Sequence, residues 1–405
     1  MFRILILALM AAFSSVFAVQ KVVLFNDTSA WYHWGCTGTS TALKAHIHKL
    51  GFEIETVPIT VTYSLQAIPP FEEFDSPERF YCFQSLNKEV LEQIQSSDAV
   101  VITGEGTIHG LRAGPRALLY LAHISKKFFG KHVEIINHSA YPKDDPGLSA
   151  DLLKNFQVEK EKTEEELLRA QMIYKTVYDE LDFVAIRESL SREVMSQIGI
   201  SSTLSFDCLP LYIRDYYRNP KQVEKKTIVV AGSVAFTELG AEQLCRYLDQ
   251  LDQMGYKIKI LTGAAAFPSR DDEAFVQFLK THSKAPWQLV VASSMEEWLD
   301  VINHAAFLVS GRFHHSIAAF CLNTPFIALN SNTHKVHAIC SVLGQKPPLL
   351  FSDPYLLDHL LARTEEILSA QPVNNHAKIR EICLLAERNF EGLRMLQSNL
   401  SCLVN

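Results

Sequence analysis

A chain of 405 residues is too long for one ordinary core and suits two domains of roughly 180 residues each. Apolar residues make up 48% and charged residues 20%, the balance of a folded globular protein rather than a disordered one. The formal net charge of -7 argues against a nucleic-acid partner, which needs clustered Lys and Arg, but it leaves room for a local basic pocket around a small anion.

Met1-Phe2-Arg3 gives a positive start, Ile4 to Phe13 is unbroken apolar sequence, and Ser14-Ser15-Val16-Phe17-Ala18 supplies small residues of the kind a signal peptidase reads. The expectation is a secretory signal peptide over 1–18 and export to the periplasm or the exterior. A buried first strand would share this composition, and the protein would then be cytoplasmic. No later segment approaches the length of a membrane-spanning helix, so no stable span is expected after leader removal. The eight cysteines, Cys36, Cys82, Cys208, Cys245, Cys321, Cys340, Cys383 and Cys402, form no CxxC pair, which argues against a zinc ribbon or a thioredoxin motif.

Lys21–Phe25 reads as the first strand of the mature chain, followed by a helix beginning near Thr39. Strands are expected at Phe52–Val57, Ala99–Thr103 and Val133–Asn137, with a helix over 115–128. Lys154–Glu180 reads as a solvated helix or helix pair, and Phe183–Arg187 as a short strand leading into a Ser-capped helix, Ser189–Ile198. A composition break over 214–226 marks a linker between an N-terminal domain, 19–213, and a C-terminal domain with terminal helices, 227–405. The second half restarts with strands at Thr227–Ala231, Lys257–Leu261, Leu289–Ala292, Phe307–Ser310 and Phe326–Asn330. Helices fit between them at 237–254, 271–282, 295–304, 315–322 and 334–343. Strands alternating with helices predict an α/β protein of two Rossmann-like, doubly wound domains facing a cleft.

Parallel sheets bind ligands beyond the carboxyl ends of their strands, so the polar segments there carry the functional reading. Trp34-Gly35-Cys36-Thr37-Gly38-Thr39-Ser40 is either a structural turn or a loop presenting amides to an anion. Thr103-Gly104-Glu105-Gly106-Thr107-Ile108-His109-Gly110 has glycines that let substrate approach the backbone, while Glu105 and His109 can hold hydroxyls or move protons. Arg187 sits at a strand end, where its guanidinium can grip a carboxylate or phosphate through two parallel bonds; a surface pair with Glu188 is the alternative. The strongest segment is Gly311-Arg312-Phe313-His314-His315-Ser316, followed by Asn323-Thr324-Pro325, the strand at 326–330 and Lys335. Two strand ends and two helix starts bring Arg312, His314, His315, Ser316 and Lys335 to one edge, an arrangement suited to a phosphorylated or carboxylated small molecule. His314, His315, His334 and His337 lack a ligand spacing such as HExxH, and no metal is expected.

These segments resemble the polysaccharide pyruvyl transferase family. The resemblance rests on Gly311-Arg312-Phe313-His314, Asn323-Thr324-Pro325-Phe326-Ile327, Lys335-Val336, Arg187-Glu188 with Ser191, and Asp207 with Pro210. Where the family often has Gly-Asp near the first helix, this chain has Gly35-Cys36-Thr37, a departure that bears on acceptor recognition. The resemblance implies a GT-B-like pair of Rossmann domains and transfer of a pyruvyl ketal from phosphoenolpyruvate to a glycan sugar, with no cofactor. Under it His314 is the proton-transferring residue, and Arg187, Arg312, Gly104, Glu105, Gly106, His315, Ser316 and Lys335 bind substrate. A nucleotide-sugar glycosyltransferase of the same architecture and a secreted, non-catalytic glycan-binding protein are the competing expectations.

Overall fold

The computed structural model describes all residues except 1–19, 31–32, 109–112, 141–163, 222–223, 234, 236, 264–269, 332, 372–373 and 405. The leader expected over 1–18, His109 and much of the charged stretch after 154 therefore lie outside the described residues. Within that stretch Glu164–Tyr178 is one helix. No described helix is long and apolar enough to cross a membrane.

Two parallel sheets organise the chain. The first contains β1 (Lys21–Asp27), β2 (Glu53–Pro58), β3 (Ala99–Glu105), β4 (His132–His138), β5 (Phe183–Ile186) and β6 (Thr203–Leu204), in the order β2-β1-β3-β4-β5-β6. The second contains β7 (Glu224–Ser233), β8 (Lys257–Leu261), β9 (Trp287–Val290), β10 (Ala305–Gly311) and β11 (Phe326–Ala328), in the order β11-β10-β7-β8-β9. Every pairing is parallel; Leu24 stands beside Val101 in the first sheet and Val309 beside Val230 in the second. The central strands are apolar on both faces, as expected of sheets covered by helices on each side. In each sheet the strand order reverses once, between β1 and β3 and between β7 and β10. Such reversal points open a crevice at the carboxyl edge.

One apolar cluster runs through both halves. Val22, Leu24 and Val101 of the first sheet, Leu209 and Leu211 of helix Leu209–Tyr216, and Trp298, Phe313 and Ile317 of the second half belong to it. The two sheets are thus joined by a dry core rather than by a tether alone. Residues 224–226, expected in the linker, extend β7 instead. The terminal helices, read from sequence as part of the second half, return to the first. Asn389 accepts from the Asn137 amide at 2.7 Å and donates to the Phe206 carbonyl at 2.8 Å, while Gln397 donates to the Leu50 carbonyl at 2.7 Å.

The first long helix spans Trp34–Lys49, five residues longer at its start than the sequence suggests. Its glycines are there for contact. A β-carbon on Gly35 would lie 2.1 Å from His314 Cβ, and one on Gly38 would lie 2.6 Å from Met295 Cε and 2.8 Å from Leu209 Cδ1. The helix Ser189–Gln197 is capped by Glu188, whose carboxylate accepts from the Ser191 amide at 2.9 Å, not by a serine. Cys36, Cys82, Cys208, Cys245, Cys321, Cys340 and Cys383 are free thiols.

Candidate active site

A cavity of about 760 Å³ lies between the carboxyl edges of the two sheets. From the first half it is lined by Thr28, Gly35, Cys36, Glu105, Gly106 and Arg187; from the second by Gly263, Arg312, Phe313, His314, His315 and Lys335. Helices Trp34–Lys49, Phe313–Cys321 and Lys335–Val342 all begin at its wall, and none has a side-chain cap at its N-terminus. Their first-turn amides leave a field that favours an anion.

Arg187 and Asp207 form the centre. Arg187 is buried and donates from Nε to Ser139 Oγ at 2.9 Å, and from Nη1 to Glu105 Oε2 at 2.7 Å and Asp207 Oδ2 at 2.8 Å. Its guanidinium lies 4.5 Å from the centre of the Phe313 ring, so a residue of the second half stacks on a cation of the first. Asp207 accepts from Thr39 Oγ1 and from the Leu209 amide, both at 2.9 Å, and His314 Nε2 stands 3.4 Å from its Oδ2. Burial opposes the charge on Asp207, but His314, Arg187 and the Leu209 amide outweigh it and hold the carboxyl below the usual aspartate range. Glu105 goes the other way: burial raises its value, with Arg187 opposing.

The backbone at Glu105 is left-handed, with φ of 47°, at the very end of β3. Asn26, next to last in β1, has φ of 63°, and Asn137, next to last in the neighbouring β4, has 49°. Asparagine tolerates this region; glutamate does so at a cost of order 1–3 kcal/mol, which surrounding contacts must offset.

In the second half, Arg312 is ion-paired through Nη2 with Asp272, whose other oxygen accepts from the Gly263 amide at 3.0 Å. His315 is buried and accepts from Trp298 Nε1 at 3.2 Å through Nε2; burial and the adjacent Arg312 push it well below the usual histidine range, so it stays neutral. His33, at the start of the first long helix, is lowered to about 3 by burial and Arg312. Lys335 is partly buried and makes no hydrogen bond or salt bridge with any described residue; burial, then Arg187, lowers it to about 8.

The residues singled out from sequence therefore separate. Arg187, Glu105, Gly106, Arg312, His314, His315 and Lys335 meet at the cavity. Gly104 does not: a β-carbon there would lie 2.4 Å from His138 Nδ1, so its glycine serves packing beneath the site. Ser316 is also buried away from the cavity and donates to the Arg312 carbonyl at 3.3 Å. Sequence reasoning missed His33 and Asp272 and read Asp207 only as part of a motif. Cys36, Glu105 and His314 each bring a donor atom within 4.8 Å of the others, a set able to hold a metal ion. Arg187 and Lys335 beside it oppose a second positive centre.

A model of the polysaccharide pyruvyl transferase family matches residues 39–333. No curated protein matches the sequence. Among solved structures, the chain is similar to UDP-N-acetylglucosamine 2-epimerase from Rickettsia bellii, with TM-score 0.56, 12% identity and coverage of 94% of this chain and 98% of that one. It is also similar to UDP-GlcNAc 2-epimerase from Neisseria meningitidis bound to UDP-GlcNAc, with TM-score 0.52, 10% identity and coverage of 93% and 99%. At such identities the likeness establishes the fold, a GT-B-like pair of Rossmann units as the family resemblance implies, in agreement with the two doubly wound domains that the alternation of strands and helices predicts.

Proposed function

The chain belongs to the polysaccharide pyruvyl transferase family, and from that premise we propose that its cleft transfers a pyruvyl group from phosphoenolpyruvate to a pair of hydroxyls on a glycan sugar. The observation that carries the reading is the junction at Asp207. Arg187 of the first half and His314 of the second approach the same buried carboxylate, at 2.8 and 3.4 Å, and both line the cavity together with Arg312 and Lys335. Phosphoenolpyruvate carries a carboxylate and a phosphate, and a cavity of about 760 Å³ with cations on both walls has room for such a doubly anionic donor beside an acceptor sugar.

In this reading His314 takes the proton of the attacking hydroxyl, and Asp207 stabilises the imidazolium as it forms. Arg187 and Lys335 hold one anionic group of the donor, and Arg312 with the helix starts holds the other. His315, kept neutral by burial and fixed by Trp298, sets the wall beside His314 rather than moving protons.

Thermal unfolding in the presence of candidate donors tests the reading, because a ligand bound only to the folded state raises the midpoint. Phosphoenolpyruvate is expected to protect, and to release phosphate when an acceptor glycan is supplied. Protection by a UDP-sugar alone would favour nucleotide-sugar chemistry, and protection by glycan alone a binding protein.

A further inference from the structure

Resting on the pyruvyl-transfer reading, we propose that Glu105 is the acid that protonates the methylene carbon of the enolpyruvyl donor. Two carboxylates share one nitrogen: Glu105 Oε2 and Asp207 Oδ2 both accept from Arg187 Nη1, at 2.7 and 2.8 Å. Like charges held that close do not both ionise in a buried site. Asp207 accepts from the Leu209 amide and the Thr39 hydroxyl and has His314 at 3.4 Å, whereas among the described residues the Glu105 carboxylate accepts a hydrogen bond from Arg187 alone, with His314 and Lys335 acting on it without a bond. The proton therefore resides on Glu105. Burial acts in the same direction.

The placement suits an acid. Glu105 Oε1 is buried and has no hydrogen-bond partner among the described residues, while Glu105 itself lines the cavity. A carboxylate oxygen of Glu105, a ring nitrogen of His314 and Cys36 Sγ lie within 4.8 Å of one another. The left-handed φ of 47° falls on this glutamate, at the end of β3 beside the sheet's reversal point. The charged and titratable groups facing it are Arg187, Asp207, His314, Cys36 and Lys335, from five separate segments.

The step balances without a redox partner. The Glu105 proton forms a C–H bond at the donor's methylene carbon as the acceptor's first hydroxyl oxygen bonds to the adjacent carbon. That hydroxyl's proton passes to His314 and returns from there to Glu105. The bond from carbon to phosphate oxygen then breaks, the second hydroxyl closes the ketal, and its proton leaves with phosphate.

The test uses the full chain with phosphoenolpyruvate and a panel of methyl hexopyranosides in deuterium oxide. Wild-type protein is expected to form a ketal whose methyl group carries one solvent deuteron. Glu105→Gln is expected to bind phosphoenolpyruvate within about threefold of wild type by calorimetry. Its transfer should be slower by on the order of 100-fold. Carbon NMR of protein labelled at the glutamate carboxyl should show at pH 7 a protonated glutamate whose signal is missing from Glu105→Gln, which separates it from the buried Glu134 and Glu188, both also raised by burial. Near-normal transfer by Glu105→Gln, or no protonated-glutamate signal that the variant lacks, overturns the assignment while leaving pyruvyl transfer intact. Absence of transfer from phosphoenolpyruvate by wild type defeats the transfer reading itself, and this assignment with it.

Discussion

Arg187 and Lys335, from opposite halves of the molecule, reach the same point in space: a β-carbon built on Gly106 would lie 3.6 Å from Arg187 Nη2 and 3.7 Å from Lys335 Nζ. Glycine at 106 leaves that point open to a ligand. A methyl group there would make ordinary contacts, so Gly106→Ala is expected to fold normally yet to occupy the anion's seat. Phosphoenolpyruvate affinity should fall about tenfold, or about 1.4 kcal/mol. Calorimetric titration checks the affinity, and an unchanged melting midpoint without ligand checks the fold.

Lys335 carries a cost that the ligand removes. Its ammonium is desolvated with no counter-ion bonded to it among the described residues, so Lys335→Met should leave the ligand-free protein at least as stable while weakening donor binding by about 1.5–3 kcal/mol. The pH sign follows from its value of about 8. Donor affinity should fall as pH rises through about 8, where the charge is lost. Stability of the empty protein moves the other way, because the folded state holds this proton less tightly than the unfolded chain and the penalty is relieved as pH rises. Melting curves across pH, with and without phosphoenolpyruvate, separate the two trends.

Much of this was legible in the sequence. The central strands β1, β3, β4, β7 and β10 announce themselves as apolar runs ending in Gly, Asn or Ser, and the Arg312–His314 segment stands at the junction where parallel sheets bind ligands. The start of the first long helix was not legible. Glycine costs a helix about 1 kcal/mol, so Gly35 and Gly38 read as a turn. The contacts that demand them, with His314 and Met295, come from sequence positions more than 250 residues away. Helices Pro77–Leu86 and Lys88–Ser96 were also missed, although Ser76 before Pro77 is a start signal, with Ser76 Oγ accepting from the Arg79 amide at 3.3 Å. The role of Asp207 could not be read at all, since its partners Arg187 and His314 are brought together only by the packing of the two sheets.

Asp207 ties stability to the site. Its carboxyl is held below the usual aspartate range, so it contributes stability that is present above about pH 4 and lost as pH falls through the depressed value. Asp207→Asn removes the charge beside Arg187 and should destabilise the protein at pH 7 by about 3–5 kcal/mol, the range for breaking a buried pair. Urea unfolding at pH 7 and pH 3 checks this, with a smaller difference between the two pH values expected in the variant.

The adjacent histidines should part company on substitution. His314→Gln is expected to keep its fold and lose on the order of 100-fold in turnover, as removal of a proton carrier does. His315→Phe leaves the buried Trp298 N–H without its acceptor and should cost about 1–3 kcal/mol in stability. Side-by-side melting and phosphate-release measurements distinguish the two. Equal turnover losses without a stability difference would contradict both roles.

The central claim is the donor, and carbon NMR tests it directly. The protein is incubated with phosphoenolpyruvate labelled at the carbon bearing the phosphate, together with a panel of methyl hexopyranosides. Pyruvyl transfer predicts loss of the enol signal, appearance of a ketal carbon bonded to two sugar oxygens, and release of one phosphate per ketal. Labelled phosphoenolpyruvate left unchanged, while a UDP-sugar under the same conditions donates its sugar to an acceptor, would contradict it.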